Sequence, residues 1–149
     1  MKNICFTILF SFALCGCLKN KDFQDGFLKD FQNVSCSKNP QQDILGKWQL
    51  IGVTSVWFSP IEHSQDNIIY EFKDNNIVVI FHDSNEIEPY PLPGEYSYNF
   101  GIPGQDGNGI VVAGENFYSY CVSEKLMVLS SVSVDGLGLY FKRMHILSH

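Results

Sequence analysis

The residues of this 149-residue chain that could take part in chemistry are five cysteines, four histidines and sixteen acidic residues. None of the histidines stands with a Ser or Cys in a motif that would activate a nucleophile. The acids are dispersed through turn-like segments, so no carboxylate pair for hydrolysis is indicated, and no His or Cys pair has zinc-ligand spacing. The sequence therefore predicts a non-catalytic protein with no metal site, including at its histidines, His63, His82, His145 and His149.

Two further features exclude phosphate chemistry and nucleic-acid binding as main functions. The stretch Gly101 to Gly109 is glycine-rich, but it lacks the Lys-Ser/Thr of a phosphate loop and precedes a strand instead of a helix, so we interpret it as a hairpin loop. Ten Lys and Arg against sixteen Asp and Glu give a net charge of -6. Binding to a nucleic-acid backbone needs clustered cations, so this charge disfavours a nucleic-acid partner.

The first seventeen residues have the pattern of an export signal. Lys2 is followed by an apolar run from Ile4 to Leu14 that is too short to span a bilayer. The segment Leu14-Cys15-Gly16-Cys17 resembles the lipobox of bacterial lipoproteins. The resemblance implies cleavage after residue 16 and an acyl lipid on Cys17, the only covalent group we expect. An ordinary signal peptide with a free Cys17 is the alternative.

The predicted lipid anchor implies a location. Attached acyl chains hold a protein at a membrane without spanning it. We therefore expect an outer-membrane lipoprotein of the cell envelope that faces either the periplasm or the exterior.

Residues 17–43 are predicted to form a tether between the anchor and the folded domain. Its apolar residues suit a short amphipathic helix that lies on the domain or on a lipid surface, and a flexible tether is the alternative. In an oxidising compartment the two remaining cysteines, Cys36 and Cys121, predict a disulfide, against two separate buried thiols. The apolar residues of the tether are Phe23, Phe27, Leu28 and Phe31.

From residue 44 to residue 149 the pattern changes to short runs of β-branched and aromatic residues separated by turn residues, which predicts an all-β domain. Because the turns are short, the strands should be antiparallel and connected up-and-down, and eight such strands avoid exposed edges most simply by closing into a β-barrel. The predicted strands are Gly46 to Trp57, Asn67 to Lys73, Ile77 to His82, Glu95 to Phe100, Gly109 to Ala113, Asn116 to Val122, Lys125 to Ser131 and Leu137 to Met144.

The ends of this predicted barrel carry a family resemblance. Leu45-Gly46-Lys47-Trp48 resembles the Gly-x-Trp motif of the lipocalin and calycin barrels, and Tyr140-Phe141-Lys142-Arg143 resembles their terminal cation. The resemblance implies that Arg143 packs on Trp48 and, with Gly46, closes one end of the barrel. The aromatic spacing of the strands is also similar to that of small lipocalin-like lipoproteins of Bacteroidetes.

Strand alternation predicts which side chains fill the barrel. If Trp48 points inward, Leu50, Thr54, Val56 and Phe58 should point inward with it. So many interior rings favour a filled centre with at most a shallow pocket. The aromatic interior positions are Tyr70, Phe72, Tyr96 and Tyr98.

The same parity places two long loops, Ser59 to Asp66 and Asp83 to Gly94, together at the open end. Apolar residues on proline-stiffened loops suit a binding surface, because rigidity lowers the ordering cost of association. The alternative is that these side chains fold back and plug the mouth of the barrel. The rim residues are Phe58, Pro60, Ile61, Ile87, Tyr90 and Leu92.

These features predict a lipid-anchored cell-envelope binding protein that holds a small amphipathic ligand or an envelope partner at its open end. The lipocalin-like resemblance also implies an alternative, a peptidase inhibitor that acts through its loops or its N-terminal segment. A purely structural role is the third reading. No cofactor is expected beyond the acyl lipid on Cys17.

Overall fold

A computed structural model describes residues 26–82, 91–101, 109–131 and 137–144. The predicted signal peptide and Cys17 lie outside the described residues. Helical structure in the described part is limited to a 3-10 helix, Phe27–Phe31, and one short α-helix, α1, Pro40–Asp43. No helix of the described ranges is long and apolar enough to cross a membrane.

The rest of the described chain is an antiparallel β-sheet. Its ten strands are β1 (Gly46–Thr54), β2 (Ile61–Glu62), β3 (Ile69–Phe72), β4 (Ile77–Phe81), β5 (Gly94–Phe100), β6 (Ile110–Val112), β7 (Glu115–Phe117), β8 (Ser119–Val122), β9 (Leu126–Ser130) and β10 (Gly138–Arg143).

The order of the strands confirms the predicted up-and-down barrel. The hydrogen-bonded path runs β7-β6-β5-β4-β3-β1-β10-β9-β8, and the short β2 pairs with β1 beside this path. The two outer strands, β7 and β8, are consecutive in the chain and are separated only by Tyr118. The sheet is therefore nearly closed.

The predicted eight strands correspond to this sheet with two differences. The predicted strand Asn116 to Val122 is divided at Tyr118, so that its first part pairs with β6 and its second part pairs with β9. The two-residue β2 was not predicted, because a run of two residues gives no usable alternation.

The first strand contains a register shift that changes which residues face the core. Opposite β10, Leu50 pairs with Phe141 and Gly52 pairs with Tyr140, so one extra residue lies between the two pairs on β1. An extra residue of this kind reverses the alternation of inward and outward side chains beyond it. Accordingly Val53 is fully buried.

The prediction that Thr54, Val56 and Phe58 point inward is therefore wrong. Thr54 is half-buried, and Val56 and Phe58 are exposed. The strand also ends at Thr54 and does not reach Trp57 as predicted.

The buried core residues occupy the interior of the barrel next to its closed end. Tyr70 packs edge-to-face on Phe141 with ring centroids 5.0 Å apart, and Phe72 packs in the same way on Tyr98 at 5.1 Å. All four rings are almost fully buried, as is Trp48. Tyr96 is half-buried, because it lies towards the open end.

Because neighbouring strands are antiparallel, the connections fall alternately at two ends. At the open end are residues 55–68, the turn from β6 to β7, the last residues of β4 and β9 and the first residues of β5 and β10. At the closed end are the connections from β3 to β4 and from β8 to β9, the last residues of β5 and the first residues of β6. The two ends of the predicted hairpin loop meet at the closed end, where the amide of Gly101 donates to the carbonyl of Gly109 at 2.7 Å; residues 102–108 lie outside the described residues.

Candidate ligand-binding site

The closed end is built around a contact between Arg143 and Trp48. The guanidinium carbon of Arg143 lies 4.1 Å from the centroid of the indole, which is the cation-π pair that the resemblance implied. Indole Nε1 of Trp48 donates a hydrogen bond of 2.6 Å to the carbonyl of Ile44. Arg143 therefore covers the face of the indole, and the hydrogen bond to Ile44 fixes its edge.

The guanidinium of Arg143 also joins three separate carbonyls. Nε donates to the carbonyl of Glu124 at 2.7 Å, Nη1 donates to that of Leu45 at 2.8 Å, and Nη2 donates to that of Asp43. Burial lowers the pKa of Arg143, and the charges of Asp43 and Glu124 act in the opposite direction.

Gly46 completes the closed end. Its φ of 112° is one that residues with a side chain rarely adopt, and a Cβ at this position would lie 3.3 Å from Nη1 of Arg143. The three residues predicted to close the barrel, Gly46, Trp48 and Arg143, are therefore in mutual proximity.

The N-terminal segment is fastened to the outside of the barrel. A disulfide joins Cys36 to Cys121 on β8, which confirms the predicted pairing over the alternative of two thiols. Phe27 and Phe31 pack edge-to-face on Tyr140, with ring centroids 5.3 and 5.1 Å apart. Residues 26–43 therefore lie on the domain, in agreement with the docked form of the predicted tether, whereas Phe23 lies outside the described residues.

A cavity of about 500 Å³ opens at the other end of the barrel. Its volume lies within the range of typical small-molecule sites. It is bounded by the inner faces of β3, β5, β6, β7 and β10 near the open end. The lining residues are Tyr70, Pro91, Leu92, Tyr96, Val112, Ala113, Glu115, Phe117, Ser131, Leu137 and Leu139.

The walls of this open-end cavity are largely aliphatic and aromatic. The phenol of Tyr96 donates to the carbonyl of Leu92 at 2.7 Å, and the hydroxyl of Ser131 accepts from the amide of Leu137 at 2.8 Å. Both hydroxyl groups are thus hydrogen-bonded to backbone atoms at the mouth of the cavity. Among the described residues of the lining, Glu115 alone is charged, and it is exposed.

The predicted interior and rim residues take different places around the cavity. Tyr70, Tyr96 and the rim residue Leu92 line it, whereas Phe72 and Tyr98 are part of the packed core beneath it. Phe58 and Ile61 are exposed and do not line the cavity. Ile87 and Tyr90 lie outside the described residues.

The large apolar rim side chains that the structure describes, those of Phe58, Ile61 and Leu92, are exposed. Leu92 is 73% exposed and Trp57 is 75% exposed. Seven large apolar side chains are exposed in the described part. Six of them belong to the open end, and the seventh, Met144, lies at the closed end. The series is Val56, Trp57, Phe58, Ile61, Phe81, Leu92 and Met144.

Sequence reasoning missed the wall of the cavity that β6, β7 and β10 contribute. Val112 and Leu139 are inward-facing residues near the open ends of their strands, and Phe117 is the inward-facing last residue of the three-residue β7. Strand alternation combined with strand direction could have assigned them, since both were available from the pattern.

One histidine belongs to a polar pair away from the cavity. Nδ1 of His63 lies 2.8 Å from a carboxylate oxygen of Asp66, and the imidazole is buried behind β2. Within the described ranges no group of three or more His, Cys, Asp or Glu residues could hold a metal ion. His82 is half-buried, and His145 and His149 lie outside the described residues.

Comparison of the chain with protein-family models, with curated proteins and with solved structures finds no match.

Proposed function

We propose that this protein is a lipid-anchored binding protein of the cell envelope, whose lipocalin-like barrel holds one small amphipathic ligand in the cavity at its open end without transforming it. The observation that carries the proposal is the cavity itself. Its volume of about 500 Å³ suits one ligand, and its walls suit an apolar body.

The construction of the closed end supports the same reading. Arg143 and Trp48 seal that end, and the rings of Tyr70 and Phe141 fill the space above them. A ligand can therefore enter only from the open end of the described barrel. Because the walls are strands of one nearly closed sheet, the site is preformed, and binding costs little ordering entropy.

The proposed anchor is compatible with this arrangement. Eight residues separate Cys17 from Gly26, where the described structure begins, and the nine Cα-to-Cα steps of an extended chain between them reach about 30 Å. An acyl lipid on Cys17 would thus keep the barrel close to the membrane surface.

A test of this proposal uses residues 18–149 exported with an ordinary cleavable signal peptide. All contacts described above are formed by residues 26–144, so this chain keeps the core, the closed end and the disulfide. It is exposed to a lipid extract of the producing organism, and co-purifying small molecules are identified by native mass spectrometry. A stoichiometric small molecule is the expected result.

A pair of variants links any captured molecule to the cavity. Val112→Phe places a ring in the cavity and should abolish capture, whereas Val111→Phe places the same ring on the outer face of the same strand and should leave capture intact. Equal capture by both variants, or none by the unsubstituted chain, would contradict the proposal.

The exposed apolar segment at the end of β1 favours a second proposal, a protein partner such as a peptidase. Val56, Trp57 and Phe58 are consecutive and exposed, and patches of this kind mark interaction sites. For this function Trp57→Ser should abolish capture of the protein partner, and Val112→Phe should not affect it.

A further inference from the structure

The charges of the barrel are distributed unevenly between its two ends. Residues 44–149 contain only five Lys and Arg residues. Each of them is at the closed-end terminus of a strand or in a closed-end turn. They are Lys47, Lys73, Lys125, Lys142 and Arg143.

Three of these five cations form contacts with other groups of the barrel. Lys47 is 4.0 Å from Glu71, and Lys73 is 3.8 Å from Glu95. Arg143 is bound to three backbone carbonyls.

The open end carries carboxylates instead. Glu62, Asp66, Glu95 and Glu115 are its described acidic residues, and Glu95 is paired with Lys73. A cleft with apolar walls and charges of one sign concentrates its electrostatic field and attracts ligands of the opposite sign.

Glu115 is held at the edge of the cavity by a tight turn. Ala113 and Gly114 have φ values of 53° and 86°, as in the two-residue hairpins that require positive φ at both positions. The turn pairs Glu115 with Val112, which lines the cavity. Among the described residues none forms an ion pair with Glu115, so its charge is available to a ligand.

From this charge distribution we infer that the cavity selects an amphiphile with a cationic head, an ammonium or guanidinium group on an apolar body, over an anionic amphiphile such as a fatty acid. The apolar body occupies the cavity, and the head lies at the mouth beside Glu115. This inference rests on the proposed ligand-binding function and adds the class of ligand.

The test compares three probes of equal chain length, n-decylammonium, n-decanol and n-decanoate, by calorimetric titration of residues 18–149 at neutral pH and low salt. We expect decylammonium to bind at least about tenfold more tightly than decanoate, with decanol between them. The preference should diminish as salt is raised, since the mouth is exposed to solvent.

Substitutions assign the preference to the mouth. Glu115→Gln should reduce the ratio of the two affinities by about threefold, the effect of one exposed charge. Glu124→Gln, which removes an exposed carboxylate from the closed-end connection between β8 and β9, is the matched control and should leave the ratio unchanged. Both variants keep the apolar walls, so decanol should bind to each as before.

The outcomes separate the two proposals. If decanol binds but decanoate binds as tightly as decylammonium, the inference about charge is wrong and the proposed cavity function stands. An unchanged ratio in Glu115→Gln would likewise remove Glu115 from the site. If none of the three probes binds, the proposed function fails together with the inference.

Discussion

The ring of Phe27 lies directly on the backbone of Gly52, on the outer face of β1. A Cβ built on Gly52 would approach three ring carbons of Phe27 to less than 3.0 Å. The contact fastens the N-terminal 3-10 helix to the strand beyond the point at which its register shifts, and it requires glycine for reasons of space.

Gly52→Ala should therefore detach the helix from the barrel. We expect a loss of about 1 to 2 kcal/mol in the free energy of unfolding, because the Phe27 ring must leave its packed position. Thermal unfolding measures the loss, and limited proteolysis near residue 27 measures the detachment. Gly26→Ala is the control, since a Cβ there meets no atom within 4 Å. Equal stability of the two variants would argue against the packed helix.

Arg143→Met should weaken the closed end. The substitution keeps much of the side-chain stem but removes three hydrogen bonds to carbonyls and the contact with Trp48, so we expect a cost of about 2 to 4 kcal/mol in denaturant unfolding. Lys142→Met on the exposed neighbouring residue should change stability by less than about 0.5 kcal/mol. A similar small effect in both variants would contradict the described role of Arg143.

Trp48→Ala should cost about 3 to 5 kcal/mol, because it removes a fully buried indole from the base of the core. A loss of this size is enough to unfold a marginally stable domain. Trp57→Ala provides the comparison, since that indole is exposed. Circular dichroism during thermal unfolding distinguishes the two, and a shift of only a degree or two for Trp48→Ala would mean that the indole is not buried.

Reduction of the Cys36–Cys121 bond should lower the free energy of unfolding by about 2 to 4 kcal/mol, because the bond closes a loop with a sequence separation of 85. Denaturant unfolding with and without a reductant measures the change. In residues 18–149 these are the only two cysteines, so the unreduced, denatured chain should react with no thiol reagent. Two alkylated thiols under those conditions would exclude the bond.

Alkaline pH should destabilise the fold through Tyr98. Burial, and secondarily the charge of Asp74, raise the pKa of Tyr98 above the ordinary value of 10.0. A raised pKa in the folded state favours the protonated phenol there, so this stabilisation is fully present below pH 10.0 and is lost as the pH rises towards the folded-state pKa.

Tyr98→Phe tests this pH dependence. The variant should lose about 1 kcal/mol at neutral pH, because the phenol donates a 2.7 Å hydrogen bond to the carbonyl of Lys73. Above pH 10.0 its free energy of unfolding should also fall less steeply with rising pH than that of the unsubstituted chain. Identical slopes of stability against pH in that range would show that Tyr98 does not titrate as described.

Sequence patterning predicted the fold well where alternation is regular. In β3 the buried residues Tyr70 and Phe72 alternate with less buried ones, so both the strand and its inward face could be assigned. The register shift after Leu50 could not be predicted, because it depends on how β1 pairs with the distant strand β10. For the same reason the exposure of Phe58 was missed.

The site was predicted less completely than the fold. The resemblance implied the pair formed by Trp48 and Arg143, and the cysteine count indicated the disulfide. The cavity walls depend on how far the rings of Tyr70 and Phe72 fill the interior, which composition alone does not determine. The break at Tyr118 also follows from closure of the whole sheet and has no local signal in the sequence.

The disulfide has a mechanical consequence if the chain is held by the N-terminal anchor proposed above. β1 lies in the middle of the sheet, between β3 and β10, so withdrawal of β1 by its N-terminal end would split the barrel. Tension on residues before Gly26 meets the contacts of Phe27 and Phe31 with Tyr140 first, and then reaches the covalent bond from Cys36 to β8. The load therefore passes into β8 before it reaches α1 and β1, and the hydrogen bonds that hold β1 in place are shielded from the pull.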